Sequence, residues 1–449
     1  MNKKIFALLL TLLFLIFTIP ITISNGIIQY AEKKLMLNTT CYENCGWLEV
    51  RNGAKILHLN GSNYEMGFQH GVLLKNEINA NFRAFCNWIK ERGFSYEELT
   101  EKWNIMKPYL SECYIEEMQG VADGSGLSLE NISVYNVGFY LVINCGSFAA
   151  WGPATVDGRL YHARSHDFPI DIKDPVTGTF LVETQVLIVR KPSGFFSSVS
   201  PSEPGMVSAA DGINEKSITT GMLSSWTDDE TLKGISVGFR MRMVLDTASN
   251  ITEAINIITS NKTLGFNFIV SDGKIPIGYA IETTANLTYV GTWDNPTEST
   301  YPFWKIDYVV RRANMFVNKT TASTQRKNYY PGVFPLLSML FKRNQMSGTS
   351  ISAASTWVHY VAISKGIESE WGMLDLNKTM EVLRKIYLGK TDIRYFILYK
   401  LGIRKTPYQL VSCPQTGEFI VSFATRNKNA YENPTHYFNL FELLELNPI

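Results

Sequence analysis

The chain has 449 residues, 45% hydrophobic and 12% aromatic, which is enough apolar material for a large core and excludes a disordered or low-complexity chain. Lys and Arg number 42 against 41 Asp and Glu, a formal charge of +1, so nothing in the charge favours nucleic acid or another polyanion as partner.

Met1-Asn2-Lys3-Lys4 leads into an almost wholly apolar run from Ile5 to Ile23, the pattern of an export signal or a membrane anchor. Residues 1–25 are assigned to that segment and residues 26–449 to one domain. Lysines before the run, with no basic residue directly after it, put the body outside the cytoplasm, secreted or held at the membrane by the N-terminal segment. Eight sequons agree with export and predict a glycoprotein: Asn38, Asn60, Asn131, Asn250, Asn261, Asn286, Asn318 and Asn377. Cys41, Cys45, Cys86 and Cys113 are candidates for disulfides, with no pairing readable, and no second Cys/His pair accompanies Cys41 and Cys45 to make a zinc site.

Residues 48–59 read as strands around Asn52-Gly53, and Ser62-Asn63-Tyr64-Glu65 is a capping box that opens a helix running toward Gly93. Gly67 and Gly71 share a face of that helix and predict a close contact, most simply with a sheet. Residues 96–122 read as helix broken at Pro108; Asp123-Gly124-Ser125-Gly126 ends it, and a new helix starts near Ser128. Short strands follow over 179–189, 206–211, 217–223, 266–270, 275–282 and 287–292, with turns expected at Asp211-Gly212 and Asp272-Gly273. Helical patterns recur over 239–258, 307–317 and 376–387, and strands flank Gln415-Thr416-Gly417. The order implies an α+β protein of antiparallel sheets covered by helices.

The densest chemistry lies in Asn144-Cys145-Gly146-Ser147-Phe148-Ala149-Ala150, then Asp157-Gly158, then Arg164-Ser165-His166-Asp167. A two-residue turn at Asp157-Gly158 would set Trp151 opposite Arg164 and Phe148 opposite Asp167, returning a cation and a carboxylate beside the Cys145 thiol. Arg164 and Asp167 are three apart, so in a regular strand they face opposite ways. His162 and His166 have metal-like spacing but no third ligand set, which favours a structural role.

Several segments together resemble the C45 peptidase family, which includes the isopenicillin N acyltransferases. They are Tyr64-Glu65-x-Gly67-x3-Gly71, residues 117–126, Cys145-x9-Thr155-x-Asp157-Gly158, residues 163–168, Asn267-Phe268-x3-Asp272-Gly273 leading to Glu282, Arg311-Arg312, and residues 409–413. The resemblance covers residues 47–445. It implies an N-terminal nucleophile (Ntn) hydrolase, an αββα sandwich made as a precursor that cuts its own backbone, here at Asn144-Cys145, into chains 26–144 and 145–449. Cys145 would then carry both the thiol and a free α-amine of pKa about 8 as general base, so no catalytic His, metal or organic cofactor is required. Arg164 and Asp167 match the family's polar pair, the first to draw the thiol toward thiolate or polarise a carbonyl, the second to hold the new ammonium. Asn267 matches the family's downstream Asn, with an amide suited to an oxyanion. Two positions depart from the pattern: Ser165 stands where many relatives have Asn, and Asn144 where a small residue is expected.

The implied activity is hydrolysis or acyl transfer on a small, linear, non-peptide amide through a Cys145 acyl-enzyme; a lipid-like amide is one candidate, because a membrane-tethered enzyme with apolar pockets would meet such substrates, and nothing in the sequence fixes the acyl group. The alternative is a fold retained as a cell-surface binding or structural module.

Overall fold

Strands buried on both faces, by the facing sheet and by a helix layer, build the centre of the molecule. The computed structural model describes residues 35–36, 46–51, 53–138, 144–325, 353–402 and 405–445. All of these lie in one compact unit beginning at Lys34. Lys3, Lys4, the apolar run, Asn38, Cys41 and Cys45 lie outside the described residues.

The strands are β1 (Leu35–Met36), β2 (Trp47–Arg51), β3 (Ala54–Gly61), β4 (Asn144–Gly152), β5 (Gly158–Asp167), β6 (Val186–Pro192), β7 (Ser198–Ser202) and β8 (Asp211–Asn214). They continue with β9 (Ile218–Ser224), β10 (Phe266–Asp272), β11 (Ile277–Thr283), β12 (Thr288–Gly291), β13 (Val309–Arg312), β14 (Tyr408–Cys413), β15 (Glu418–Phe423) and β16 (His436–Asn439). Ten of them form one sheet in the order β1-β2-β3-β6-β7-β8-β9-β10-β11-β12, and six form another in the order β13-β4-β5-β14-β15-β16. Every named pairing is antiparallel except β3 with β6.

The helices are α1 (Asn63–Leu73), α2 (Lys75–Glu91), α3 (Tyr96–Met106), α4 (Glu112–Ser125), α5 (Leu129–Gly138), α6 (Val237–Thr247) and α7 (Ile251–Thr259). After them come α8 (Lys319–Ala322), α9 (Ala353–Glu368), α10 (Leu376–Tyr387), α11 (Ile393–Lys400) and α12 (Leu440–Glu445). Helix α1 packs on β3 and β6, α6 on β8 and β9, and α7 on β10, while α10 covers β5, β14 and β15 and α9 covers β4 and β13. Strand β4 lies against β9, β10 and β11 of the other sheet. The layers therefore run helix, sheet, sheet, helix, the αββα sandwich expected from the sequence.

Most local expectations hold, and the exceptions have physical causes. The capping box is present, with the Ser62 hydroxyl accepting from the Glu65 N–H and the Glu65 carboxylate accepting from the Ser62 N–H at 2.7 Å. Residues 309–312 form a strand rather than a helix because the edge of β4 recruits them, overriding local periodicity. Asp211-Gly212 lies inside β8 and is not a turn; the chain reverses at Glu215–Ser217, where Ser217 has φ 60°. Residues 206–210 form no strand, and over 179–185 the chain makes a short 3-10 turn before β6 begins.

The glycine face of α1 meets a helix, not a sheet. Gly67 and Gly71 abut Gly120 and Gly124 of α4, and a Cβ at position 71 would stand 2.6 Å from the Val121 carbonyl oxygen. A buried network beside this contact locks α4 to α6. Arg242 donates to both Glu117 oxygens at 3.0 Å and to Asp246 at 2.9 Å, while Tyr114 donates to Asp246 at 3.0 Å. Because a Cβ at position 67 would run into the Glu117 main-chain carbonyl, Gly67→Ala is expected to cost about 1–3 kcal/mol, read from the urea midpoint, despite alanine's better helix propensity.

Candidate active site

The β4–β5 pair aligns Cys145 with His166, Ser147 with Arg164 and Asn144 with Asp167. The expected register, with Phe148 opposite Asp167, is corrected by four residues. The strand leaves the ladder at Gly152, where φ is 55°, and Thr155 bridges to Leu374, so the connection is longer than a two-residue turn. Along β5, Leu160, His162, Arg164 and His166 face the other sheet, while Tyr161, Ala163, Ser165 and Asp167 face the helix layer. The core clusters agree, since Leu160 packs with Ile269 of β10 whereas Tyr161 and Ala163 pack with Tyr360 and Leu383 of the helices. Odd spacing does send Arg164 and Asp167 to opposite faces.

Between the sheets, Arg164 Nη2 donates to Cys145 Sγ at 3.0 Å. The guanidinium is fixed from behind. Its Nε and Nη2 donate to the Met222 carbonyl at 3.1 and 2.8 Å, and Nη1 pairs with Asp211 at 2.8 Å. Tyr408 donates its hydroxyl to the same Asp211 oxygen at 3.1 Å. Room for this arrangement comes from Gly221, where a Cβ would lie 2.7 Å from Arg164 Cδ. Both Cys145 and Arg164 are almost completely buried, at 0% and 1% exposure. Burial pushes the thiol up to about 12, against the opposite pull of the guanidinium and of a hydrogen bond from the Asp167 main chain. In the intact chain the sulfur is therefore a neutral thiol with a cation already aimed at it.

Asp167 sits at the strand end on the other face. It accepts from Tyr387 and Thr406 at 3.0 Å each and from Ser165 at 3.1 Å. Ser165, the departure from the family pattern, thus serves as a donor to Asp167. Gly146 faces the same layer, and any Cβ there would meet His359 Cε1 at 2.7 Å and the Tyr387 hydroxyl at 2.9 Å. His359 is folded into the aromatic packing of Tyr387 and Tyr395.

Asn267 does not offer an amide N–H to an oxyanion in the intact chain. Both of its hydrogens are donated to main-chain carbonyls, to Ala313 at 2.8 Å and Met315 at 2.9 Å. Its effect reaches the nucleophile through the residue between them. Asn314 accepts from the Cys145 main-chain N–H at 2.9 Å and donates to the Ser224 carbonyl at 2.9 Å. The same segment is tied down by Arg312, which pairs with Glu282 at 3.0 Å and Glu298 at 2.6 Å, while Glu282 accepts from the Val317 N–H at 2.7 Å. Arg311 turns away, to Ser364 at 2.6 Å.

Cys145 and Arg164 therefore meet between the sheets, Asp167 reaches Cys145 through its main chain while its carboxylate lies on the opposite face, and Asn267 acts from a step away. Asp211, Asn314, Tyr387, Thr406 and Tyr408 complete the site without having been singled out from sequence. Each is far along the chain from Cys145, and the one visible signal, Asp211-Gly212, reads locally as a turn. Among the described residues no group of His, Cys, Asp and Glu could hold a metal ion. His162 instead bonds Ser271 at 3.0 Å, and His166 stacks on Tyr408 with ring centroids 4.7 Å apart.

Glu203 shares the buried polar space with Asp211 and Arg164, and Gln185 donates to it at 3.3 Å. Burial pushes its carboxyl from 4.5 up to about 7. A raised acid favours the fold in its protonated form, so this contribution is complete below about 4.5 and is lost as pH rises through about 7. Glu203→Gln is expected to remove a fall in stability of up to roughly 3 kcal/mol across that window, read from urea midpoints at successive pH values.

The model of the family described as acyl-coenzyme A:6-aminopenicillanic acid acyl-transferase matches residues 155–331. An uncharacterized protein of Archaeoglobus fulgidus is 26% identical over 50% of this chain and 42% of its own length. Acid ceramidase of Heterocephalus glaber is 25% identical over 47% of this chain and 57% of its own. The chain thus spans about half the length of these curated relatives. Penicillin V acylase from Agrobacterium tumefaciens aligns in structure with a TM-score of 0.40 and 16% identity, over 66% of this chain and 87% of that one.

Proposed function

We propose, for a chain that is isopenicillin N acyltransferase-like over residues 155–331, that Cys145 is the nucleophile of an amide hydrolase or acyl transferase activated by scission of the Asn144-Cys145 bond. The observation that carries this reading is the Arg164 guanidinium, braced by Asp211 and the Met222 carbonyl, donating to Cys145 Sγ at 3.0 Å while Asn314 holds the nitrogen of the same residue at 2.9 Å.

Scission turns that amide nitrogen into an amine of pKa about 8, with Asn314 already its partner and the Asp167 carboxylate at the strand end. The amine takes the thiol proton, Sγ bonds to the substrate carbonyl carbon, and the leaving nitrogen departs with that proton. Water or another acceptor then attacks the thioester and restores the thiol. Arg164 favours the thiolate throughout. Cys145 is 0% exposed in the intact chain, so turnover on this reading requires scission to make the sulfur reachable by substrate. An oxyanion donor also requires the main chain near Asn267 to rearrange, because its side-chain hydrogens are engaged.

The substrate class we favour is a lipid-like linear amide. A relative named for ceramide, a lipid amide, supports it, and so does the N-terminal apolar run, which would hold an exported enzyme near lipid. Export rests on that run and on the sequons. Among the described residues no helix is long and apolar enough to cross a membrane. Incubating the purified chain and sequencing the N-termini of any fragments tests the scission step. A new terminus at Cys145, appearing with amide turnover, supports the proposal; an intact chain that turns over the amide overturns it.

A further inference from the structure

Helix α11 presents an apolar face that nothing in the described chain covers. Ile393 is 73% exposed, Ile397 55%, Leu401 68% and Phe396 38%. These positions are spaced three, four and eight along the chain and so form one stripe. The opposite side is anchored: Tyr395 is 1% exposed and stacks on His359 with ring centroids 5.2 Å apart. Folding therefore does not need the outer stripe, yet leaves four large apolar side chains in water.

The charge around the stripe is one-sided. From Leu388 to Thr406 the sequence carries Lys390, Arg394, Lys400, Arg404 and Lys405 against a single acid, Asp392. That acid is itself buried and consumed by Lys365 and Arg394, at 2.7 and 2.8 Å. Lys400 lies over the Phe396 ring at 5.3 Å, its stem along the apolar face. An apolar stripe in a basic stretch of chain suits the boundary of a bilayer, where aliphatic side chains lie among acyl chains and long cationic side chains can reach lipid phosphates.

The helix also adjoins the site. The segment that follows it leads straight to Asp167, with the Lys405 carbonyl accepting from the Phe168 N–H at 2.9 Å and Thr406 donating to the Asp167 carboxylate at 3.0 Å. On its inner side, Tyr395 packs near Tyr387, another donor to Asp167.

We propose that the Ile393–Leu401 face docks on an anionic phospholipid surface and brings the Cys145 site against it, so that an apolar amide passes from the bilayer to the enzyme. The docking stands without the catalytic reading; only the delivery of substrate rests on it.

The test uses the full chain, with an environment-sensitive fluorophore at Ile397→Cys or, as control, at Ile275→Cys in the β10–β11 turn, and with the labelled parent as background. Vesicles of phosphatidylcholine, alone or mixed with phosphatidylserine, are added at low and high salt. Docking predicts a blue shift and several-fold brighter emission at position 397 with the anionic vesicles, diminished by salt, and little change at position 275. Three results overturn it: no change at 397, an equal change at both positions, which would report tethering by the N-terminal run, or an apolar signal at 397 before vesicles are added, which would mean that the chain or a second copy covers the face.

A second arm pairs Ile397→Asp with Leu401→Asp. Turnover of a vesicle-borne amide should fall roughly tenfold or more while a soluble amide is cleaved as before and thermal unfolding is unchanged. Equal loss on both substrates overturns delivery from the bilayer. If neither amide is cleaved by the parent, the catalytic reading fails, and the fluorescence still decides docking.

Discussion

Cys145→Ala is expected to leave the purified chain as a single unprocessed species and to lower amide turnover by at least about 10³-fold, since on the proposed mechanism one atom supplies the nucleophile for both reactions. The fold should survive, because Cys145 contributes a small buried side chain at a strand end and the neighbouring Arg164 keeps its bonds to Met222 and Asp211. Gel electrophoresis and a turnover assay on the same preparation report the two effects side by side. Cys145→Ser separates them further: a hydroxyl is a weaker nucleophile than a thiol, so scission should slow rather than stop. If parent and alanine variant alike stay uncleaved and inactive, the binding-module alternative is the better account; a variant processed and active like its parent would place the nucleophile elsewhere.

What could be read in advance follows from the range of the forces involved. The layered fold and the pairing of β4 with β5 are written in strand-like runs and turn residues, which act over a few positions, and the approach of Arg164 and of the Asp167 main chain to Cys145 comes from that one hairpin. The observed register differs from the one the turn residues imply because Thr155 is drawn to Leu374, more than two hundred residues away, and the turn yields to that bridge. Residues 309–312 form a strand for the same reason, since the free edge of β4 outweighs a weak helical pattern. Asn314 and Tyr408 carry no local signature, and the one that Asp211 carries reads as a turn: each is polar, each is buried, and each becomes part of the site only when the two sheets close. Asn267 was picked by resemblance, yet its use in the intact chain, holding the Asn314 turn, emerges only from the hydrogen bonds.

The second large effect concerns Arg164, where stability and chemistry are entangled and can be pulled apart. Arg164→Met leaves Asp211 buried at 1% exposure with only the Tyr408 hydroxyl against it, and removing one member of such a pair is expected to destabilise by about 3–5 kcal/mol. The same change strips the cation from the thiol and should lower turnover by roughly 10²-fold or more beyond any loss of folded protein. Asp211→Asn alone keeps the guanidinium bonded to the Met222 carbonyl and to Sγ, so its cost should fall mainly on stability. Combining Arg164→Met with Asp211→Asn removes both charges together, and a neutral, well-packed replacement of a buried pair is commonly tolerated. The double variant should therefore regain most of the stability lost by Arg164→Met, read as urea midpoint, while turnover stays at the level of the single variant. Recovery of turnover along with stability would instead assign the guanidinium a purely architectural place between the sheets and remove it from the chemistry at Cys145.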